Sequence, residues 1–229
     1  MPPYEVRRCT VADAPGLAHN NMGAFWESPG YQLLWTGRTL EYVTANAAQR
    51  MPRLLLSDRV RRRHQLVVDE ETGRIVGYAR WILPDRLAAE GEWLDAQTPA
   101  VTPEEEQGFA RAFNGADWSF VDLPGMDDHV HVAKAKYFAG NKEYMELDYL
   151  AVHPDNKGRG IASLLVRNGV AAAQNMNVYL FMMAYEAGHH VYKKFGFEIL
   201  ESNVQDLAKW GGEGPYATYM MEKKIAKRE

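Results

Sequence analysis

The sequence of 229 residues contains a single cysteine, Cys9. One thiol cannot form a disulfide bond within the chain, and it cannot supply the cysteine framework of a zinc site. No stretch approaches the roughly 20 apolar residues of a membrane-spanning helix, and the first residues lack the apolar run of a signal peptide. We therefore expect a protein of a reducing compartment, by default the cytoplasm, with no membrane partner.

The sequence also lacks an excess of basic residues. Lys and Arg number 26 against 30 Asp and Glu, a net charge of −4. Proteins that bind nucleic acids generally carry surplus positive charge, so we expect no nucleic-acid partner. The content of 46% hydrophobic and 24% charged residues is that of an ordinary globular protein.

Hydrophobic periodicity predicts a series of strands and helices. Strands are expected over residues 4–9, 65–69, 74–83, 144–152, 177–184, 197–202 and 217–223. Helices are expected from Thr10 through Phe25 and over residues 38–56, 161–174 and 188–195. Pro52 predicts a kink or an end in the second helix, and the aromatic, Pro- and Gly-containing residues 26–37 predict a loop.

Residues 84–141 differ in character from the rest of the chain. Their periodicity is poor, and they contain prolines, glycines and an acidic run at residues 104–106. We expect one helix over residues 103–113 and otherwise loops, and loops of such length are usually functional or mobile. The sequence thus predicts a single domain over residues 1–229 with an insertion at residues 84–141.

The strand expected over residues 144–152 alternates between two faces. One face should carry Met145, Leu147, Tyr149 and Ala151. The other should carry Glu146, Asp148, Leu150 and Val152. Carboxylates in the middle of a sheet are costly unless they are paired or used, so Glu146 and Asp148 are candidate functional residues. The strand over residues 177–184 is apolar throughout, as expected for a strand buried on both faces.

Residues 153–160 form a glycine-containing turn between a strand and a helix. Gly158 and Gly160 allow the backbone to approach a ligand closely, and the free N–H groups of the following helix favour an anion. A hydrogen bond to a charged group contributes about 1.5–3 kcal/mol, whereas the helix dipole contributes about 0.3–1 kcal/mol. Several loop amides therefore outweigh the dipole, and the turn predicts a phosphate site. An ordinary turn without a ligand is the alternative.

Two common phosphate motifs fit this turn poorly. The P-loop pattern Gly-x-x-x-x-Gly-Lys-Ser/Thr is absent. The dinucleotide pattern Gly-x-Gly-x-x-Gly ends here in Ser163, so that match is weak. Residues 157–162 (Lys-Gly-Arg-Gly-Ile-Ala) instead resemble the pyrophosphate loop of the Gcn5-related N-acetyltransferases (GNAT), Gln/Arg-x-x-Gly-x-Gly/Ala. Lys157 departs mildly from this pattern, because lysine still offers donors to phosphate.

A second segment carries the same resemblance. Residues 191–197 are similar to the family's Tyr-x-x-x-Gly-Phe signature, and their spacing from the loop is that of the family. Residues 150–154 and 163–165 also look like this family, whereas Asn156 stands where an aromatic residue is common. The specific part of the resemblance covers residues from about 146 to 200, and it implies an enzyme that uses acetyl-CoA.

The resemblance also implies roles for individual residues. The pyrophosphate would be held by Lys157, Gly158, Arg159, Gly160, Ile161, Ala162 and Ser163. Backbone groups of Leu150, Ala151 and Val152 would bind the pantetheine arm and polarise the thioester carbonyl. Tyr192 would protonate the departing CoA thiolate, the alternative being a packed tyrosine whose hydroxyl has a partner.

Acetyl transfer to an aliphatic amine calls for a general base. An amine with a pKa of about 10.4 needs about 4.6 kcal/mol to lose its proton at pH 7. Glu146 matches the position where some family members carry a base, and Asp148 is the second candidate. Either carboxylate could instead form an ion pair or lie at a wet end of the strand. Cys9 is far from the loop, so we expect direct transfer in a ternary complex without an acyl-cysteine.

Aromatic residues crowd the loop expected after the first helix, namely Phe25, Trp26, Tyr31 and Trp35. They predict either a packed cluster or a wall of an acceptor pocket, since family members often admit acceptors beside their first two helices. Trp81, Trp93 and Trp118 are candidates to extend that wall. An apolar or aromatic amine would then be favoured over a histone tail.

Two further clusters could be binding sites, but an interpretation without a ligand is preferred for each. Asp127, Asp128, His129 and His131 could bind a metal ion, but a solvated loop is the preferred interpretation and no metal is expected. The run of Arg59, Arg61, Arg62 and Arg63 could grip phosphate or nucleic acid. The preferred interpretation is that it decorates a helix end and faces solvent.

The sequence therefore predicts an α/β (α+β) GNAT fold. We expect a twisted, mostly antiparallel sheet of six to seven strands flanked by helices, with a splayed parallel pair around the glycine-turn helix. The expected activity is acetyl transfer from acetyl-CoA to a small amine by a monomer or homodimer. Two alternatives stay open, a protein lysine or N-terminal acetyltransferase and a non-catalytic acyl-CoA sensor.

Overall fold

A computed structural model describes residues 4–140 and 142–226 of the chain. Within these residues the strands form one seven-stranded sheet. The strands are β1 (Tyr4–Arg8), β2 (Arg62–Asp69), β3 (Arg74–Ile82), β4 (Tyr144–Ala151), β5 (Tyr179–Tyr185), β6 (Glu198–Asp206) and β7 (Pro215–Lys223). The helices are α1 (Ala14–Trp26), α2 (Pro29–Leu34), α3 (Leu40–Leu56), α4 (Asp85–Ala89), α5 (Pro103–Gly115), α6 (Asp128–Phe138), α7 (Ile161–Met176) and α8 (His189–Lys193).

The sheet has the order β1-β2-β3-β4-β5-β7-β6, and only β4 and β5 are parallel neighbours. Their pairing begins at Tyr144 and Tyr179 and ends at Leu147 and Met182. Both strands continue beyond that point, to Ala151 and Tyr185. They therefore separate in their C-terminal halves and leave a gap in the sheet. The predicted fold class, a mostly antiparallel sheet with a splayed parallel pair, is confirmed.

A β-bulge interrupts β4 near this gap. Trp81 pairs with Leu147 and Arg80 with Tyr149, so Asp148 has no partner residue on β3. Leu147 packs in the core shared with α7, whereas Tyr149 packs against the cluster formed with α1 and α3. The prediction that Tyr149 shares a face with Leu147 is wrong, because the extra residue of a bulge reverses the alternation of side chains.

Pro52 was predicted to kink or end helix α3. The helix does not end there, since it continues through Pro52 to Leu56. Two of the three leucines that follow, Leu55 and Leu56, are buried. Proline removes one hydrogen bond of the helix. The burial of these two side chains, worth about 1.5–3 kcal/mol each, offsets that loss.

The structure contains helices where loops were predicted. Helix α2 lies within residues 26–37 and begins at Pro29, a residue that favours the first helical position. Helices α4 and α6 lie within residues 84–141, beside the predicted helix that is observed as α5. Val130, Ala133 and Tyr137 of α6 pack on the sheet, and their spacing of three and four residues was a helical signal that intervening polar residues obscured.

The arginine run was predicted to face solvent, and the structure differs at Arg63. The Arg63 side chain, on β2, is fully buried. Its guanidinium donates two hydrogen bonds to the Glu92 carbonyl, at 3.0 and 2.6 Å. Sequence alone did not reveal this contact, which ties the segment after β3 to the sheet. Among the helices of the described residues, none combines the length and the apolar character needed to cross a bilayer.

Candidate functional site

The glycine turn connects the end of β4 to the start of α7. Gly158 and Gly160 adopt φ angles of +75° and +81°, in the left-handed region that favours glycine. A Cβ atom at either position would meet nothing within 4 Å, so the requirement for glycine comes from the backbone conformation. Residues 157–160 are exposed. Gly160 occupies the N-cap position and has no side chain to cap α7, so the first N–H groups of α7 are open to an anion.

The residues predicted to hold pyrophosphate lie together at this turn. Ala162 and Ser163 stand in the first turn of α7 and are partly exposed, while Ile161 points into the core. The Lys157 ammonium forms an ion pair with Glu27. Both side chains are more than half exposed, at 57% and 52%. An exposed pair of this kind is worth little, so a phosphate group can compete for Lys157.

The gap between β4 and β5 begins directly before this turn. Leu150 and Ala151 still pair with Ala79 and Tyr78 of β3, but they have no partner on β5, whose pairing stops at Leu147. Their free edge therefore faces the gap. The segment along this edge comprises Leu150, Ala151 and Val152, the three residues predicted to bind the pantetheine arm.

Tyr192 lies on α8, which follows β5. It is buried in the core beneath α7 and packs edge-on against Phe197 at 6.0 Å. Burial raises the pKa of the Tyr192 hydroxyl well above its usual value, and no hydrogen bond or neighbouring charge in the described residues contributes to this shift. The hydroxyl therefore stays protonated at neutral pH, as a general acid must.

The two carboxylates predicted as bases have different partners. The Asp148 carboxylate accepts a hydrogen bond from Arg80 Nε at 2.6 Å. Glu146 is 7% exposed, and its Oε1 lies 2.5 Å from the Lys134 ammonium of α6. Burial raises the pKa of Glu146, and the neighbouring Lys134 only partly opposes this effect. Neither Arg80 nor Lys134 was identified from the sequence, because each lies on a different element from its partner.

The four predicted acceptor residues form one series of ring contacts through Tyr31, and they differ in their distance from the gap. The Phe25 ring lies 5.1 Å from Tyr149 of β4 and 6.5 Å from Tyr185 of β5, which places it beside the gap. Tyr31 lies next to it, at 5.8 Å. Trp35 is buried and packs against Trp118 at 4.7 Å. Trp26 is partly buried in the same cluster as Trp35.

Two tyrosines that were not predicted also border the gap. Tyr185 is the last residue of β5 and is 38% exposed. Its ring lies 5.7 Å from that of Tyr216, whose hydroxyl donates to Asp127 at 2.8 Å. The position of Tyr185 at the end of an apolar strand was the only sequence signal for it. Tyr216 is distant in sequence and is brought there by the pairing of β5 with β7.

Other tryptophans that were candidates for the acceptor wall lie elsewhere. Trp81 is fully buried in the core under α7, and Trp93 packs against it at 6.2 Å. A Cβ atom on Gly169 of α7 would come within 2.0 Å of the Trp81 ring. Their assignment to the wall is therefore wrong, because their side chains fill the face of the sheet opposite to α1.

The Asp and His cluster lies at the start of α6 and not in a loop as predicted. His129 Nε2 is 2.7 Å from the Thr218 hydroxyl, and Asp127 accepts the hydrogen bond from Tyr216. In the described parts of the chain, no three His, Cys, Asp or Glu side chains are arranged to hold a metal ion. These contacts give the cluster a role in packing α6 against β7.

A family comparison identifies this architecture. Residues 126–199 match the family described as the Acetyltransferase (GNAT) domain. These residues make up about a third of the chain, and they resemble a GNAT acetyltransferase domain. The match spans α6, β4, the glycine turn, α7, β5 and α8, which are the elements that border the gap. The match supports acetyl transfer as the general activity of the chain.

Solved structures share the fold along nearly the whole chain. A structure described as histone acetyltransferase HPA2 and related acetyltransferase from Corynebacterium glutamicum has 19% identity and a TM-score of 0.58, over 98% of each chain. The C-terminal condensation domain of Ebony has 12% identity and a TM-score of 0.63, over 98% of this chain and all of that one. Polyamine N-acetyltransferase from Drosophila melanogaster has 12% identity and a TM-score of 0.53, over 97% of this chain and all of that one.

At such identities the likeness shows the fold and leaves the acceptor open. No curated protein matches the chain.

Substitution of Gly160 by alanine should weaken CoA binding beyond its effect on stability. A left-handed conformation costs a residue with a Cβ atom about 1–2 kcal/mol, so Gly160→Ala should lower the free energy of unfolding or shift the loop. Loss of one amide–phosphate hydrogen bond, about 1.5–3 kcal/mol, should weaken CoA binding by about tenfold or more. Calorimetric titration with CoA measures this.

Gly73→Ala is the matched control. Gly73 has φ +67° in the turn between β2 and β3, and a Cβ atom there also meets nothing within 4 Å. It should lower stability similarly and leave CoA affinity unchanged. Equal CoA affinity of the two variants would contradict the assignment of the turn to pyrophosphate.

Proposed function

We propose that this protein transfers the acetyl group of acetyl-CoA directly to a small, partly apolar primary amine within a ternary complex. The observation that carries this proposal is the gap between β4 and β5. It has the anion-accepting turn at one end and aromatic side chains from α1, β4 and β5 along its border. The two substrates would approach it from these two sides.

The cofactor would use the groups that the gap and the turn leave free. Backbone N–H groups of residues 158–162 would bind the pyrophosphate, with Lys157, Arg159 and Ser163 beside them. The free edge of residues 150–152 would receive the pantetheine arm and polarise the thioester carbonyl, since preorganised N–H donors stabilise an oxyanion strongly. Cys9 is fully buried beneath α1 and α3, which supports transfer without an acyl-cysteine.

The remaining parts of the chain fit one catalytic unit. We infer that residues 1–229 form a single domain and that residues 84–141 are an insertion within it. Helix α6 of that insertion packs on Tyr144 and Phe181 of the sheet and supplies the Lys134 partner of Glu146. The insertion would therefore shape the site and not only extend the surface.

We assign the general base to Glu146. Asp148 is committed to the Arg80 guanidinium, whereas the raised pKa of Glu146 makes it a better proton acceptor near neutral pH. The carboxylate must be ionised to act, so kcat/KM should fall as the pH decreases through this raised pKa. Glu146→Gln should lower kcat/KM and remove that acidic limb, as measured by initial rates across pH.

Glu222→Gln controls for loss of a buried charge on the sheet. Glu222 is also buried and paired. Burial raises its pKa, but the hydrogen bonds from Lys142 and Tyr144 outweigh that effect and lower the pKa overall. This variant should keep the acidic limb, and its disappearance in both variants would refute the assignment to Glu146.

We assign the general acid to Tyr192. Tyr192→Phe removes only the hydroxyl, so kcat should fall roughly 10²-fold, at the low end of effects from general acids, while CoA affinity stays the same. Tyr137→Phe is the control, because its hydroxyl donates to Glu201 of β6 at 3.0 Å. Comparable kcat values for Tyr192→Phe and the wild type would remove Tyr192 from the mechanism.

The acceptor is assigned from the aromatic border of the gap. Phe25→Ala should raise the KM for an aromatic amine such as phenylethylamine by about tenfold, because a buried phenyl group is worth about 1.5–3 kcal/mol. Phe120→Ala is the control, since Phe120 is exposed and its ring meets Trp35 edge-on at 6.0 Å. Thiol release measured for phenylethylamine, an alkyl amine and a lysine peptide gives the acceptor preference.

The same panel separates the alternatives. Preference for the lysine peptide would favour a protein acetyltransferase, and CoA binding without turnover on any amine would favour a sensor. An acetyl-enzyme formed before acceptor is added would exclude direct transfer.

A further inference from the structure

The side chain of Asn20, on α1, is fully buried beside the end of β4. Its Oδ1 accepts a hydrogen bond from the His153 N–H at 3.1 Å. Its Nδ2 donates to the Ala151 carbonyl at 3.2 Å and to Asn21 Oδ1 at 3.0 Å. One amide thus binds two backbone groups that lie two residues apart, just where the glycine turn begins.

This contact determines which edge of β4 remains free. Residues two apart in a strand direct their backbone groups to the same edge, and the residues between them face the other edge. Ala151 and His153 direct theirs to Asn20, so Leu150 and Val152 direct theirs to the opposite edge. We infer that this opposite edge is the one along the gap, where the pairing with β5 has ended at Leu147.

Helix α1 also holds the His153 side chain. The His153 ring stacks on His19, with centroids 4.8 Å apart and planes inclined by 15°. It rests against Gly23, where a Cβ atom would come within 2.4 Å of the ring. His19, Asn20 and Gly23 therefore form a contact surface on α1 that holds the backbone of residues 151–153 in place.

We propose that Asn20 is a positioning residue for the cofactor, which holds the end of β4 so that Leu150 and Val152 meet the pantetheine arm. The inference rests on the proposed function. Beyond Leu147 this strand has lost its β5 neighbour and is supported from one side only. Removal of Asn20 would leave the Ala151 carbonyl and the His153 N–H without their side-chain partner and would release that support.

The test compares two ligands that share the pyrophosphate but differ in the pantetheine arm. These are CoA and adenosine 3′-phosphate 5′-diphosphate, the part of CoA that ends at the pyrophosphate. In calorimetric titrations Asn20→Ala should weaken CoA binding by about tenfold, as expected for one to two hydrogen bonds. It should change the affinity for the shorter ligand by less than about twofold, since the glycine turn is intact.

Asn46→Ala is the matched control. Asn46 is a buried asparagine on α3 whose amide also binds two backbone groups, the Tyr42 carbonyl at 3.0 Å and the Asp117 N–H at 2.8 Å. It should lower the melting temperature and leave both affinities unchanged. Gly23→Ala is a second way to displace the end of β4. Its methyl group would push the His153 ring away from α1 while Asn20 is kept. It should weaken CoA binding in the same selective way.

Three results would overturn the inference. Asn20→Ala could bind CoA as tightly as the wild type does, it could lose both ligands equally, or Asn46→Ala could show the same selective loss. A wild-type protein that binds neither ligand would instead refute the proposed function itself. A wild type that binds CoA and transfers acetyl groups, together with any of the three results, would refute only the role of Asn20.

Discussion

The separation of β4 and β5 is the constraint on which the site depends. Their parallel ladder ends at Leu147 and Met182 although both strands continue. Backbone N–H and C=O groups along the gap have lost their sheet partners there, and such groups require other partners. The unpaired Asp148 of the bulge lies at the same point, and a bulge increases the local twist of its strand.

Helix α1 connects the two sides of this gap. Asn20 binds the backbone of β4, Glu27 pairs with Lys157 of the glycine turn, and Phe25 contacts the aromatic side. Asn20 and Phe25 lie on α1, and Glu27 is its C-cap residue. A rigid helix that touches both regions fixes their relative position, which direct transfer between two bound substrates requires.

Carboxylates on the sheet form ion pairs with basic side chains. Asp148 is bound by Arg80 of the neighbouring strand and Glu222 by Lys142. Glu146 is covered by Lys134 of α6, yet its pKa remains raised because burial has the larger effect. A buried carboxylate keeps a low pKa only when its partners outweigh desolvation. Glu146 therefore accepts a proton more readily than Glu222 does.

The sequence by itself determined the elements with strong local signals. The alternating strands, the glycine turn and α7 depend on periodicity and on backbone conformations that Gly158 and Gly160 allow, so neighbouring residues suffice to predict them. Tertiary structure decided the rest. The bulge at Asp148, the buried Arg63, the partners of Glu146 and the contact of Asn20 with β4 join residues that are distant in the chain. Local pattern carries no information about such pairs, because their geometry is set by how the helices pack on the sheet.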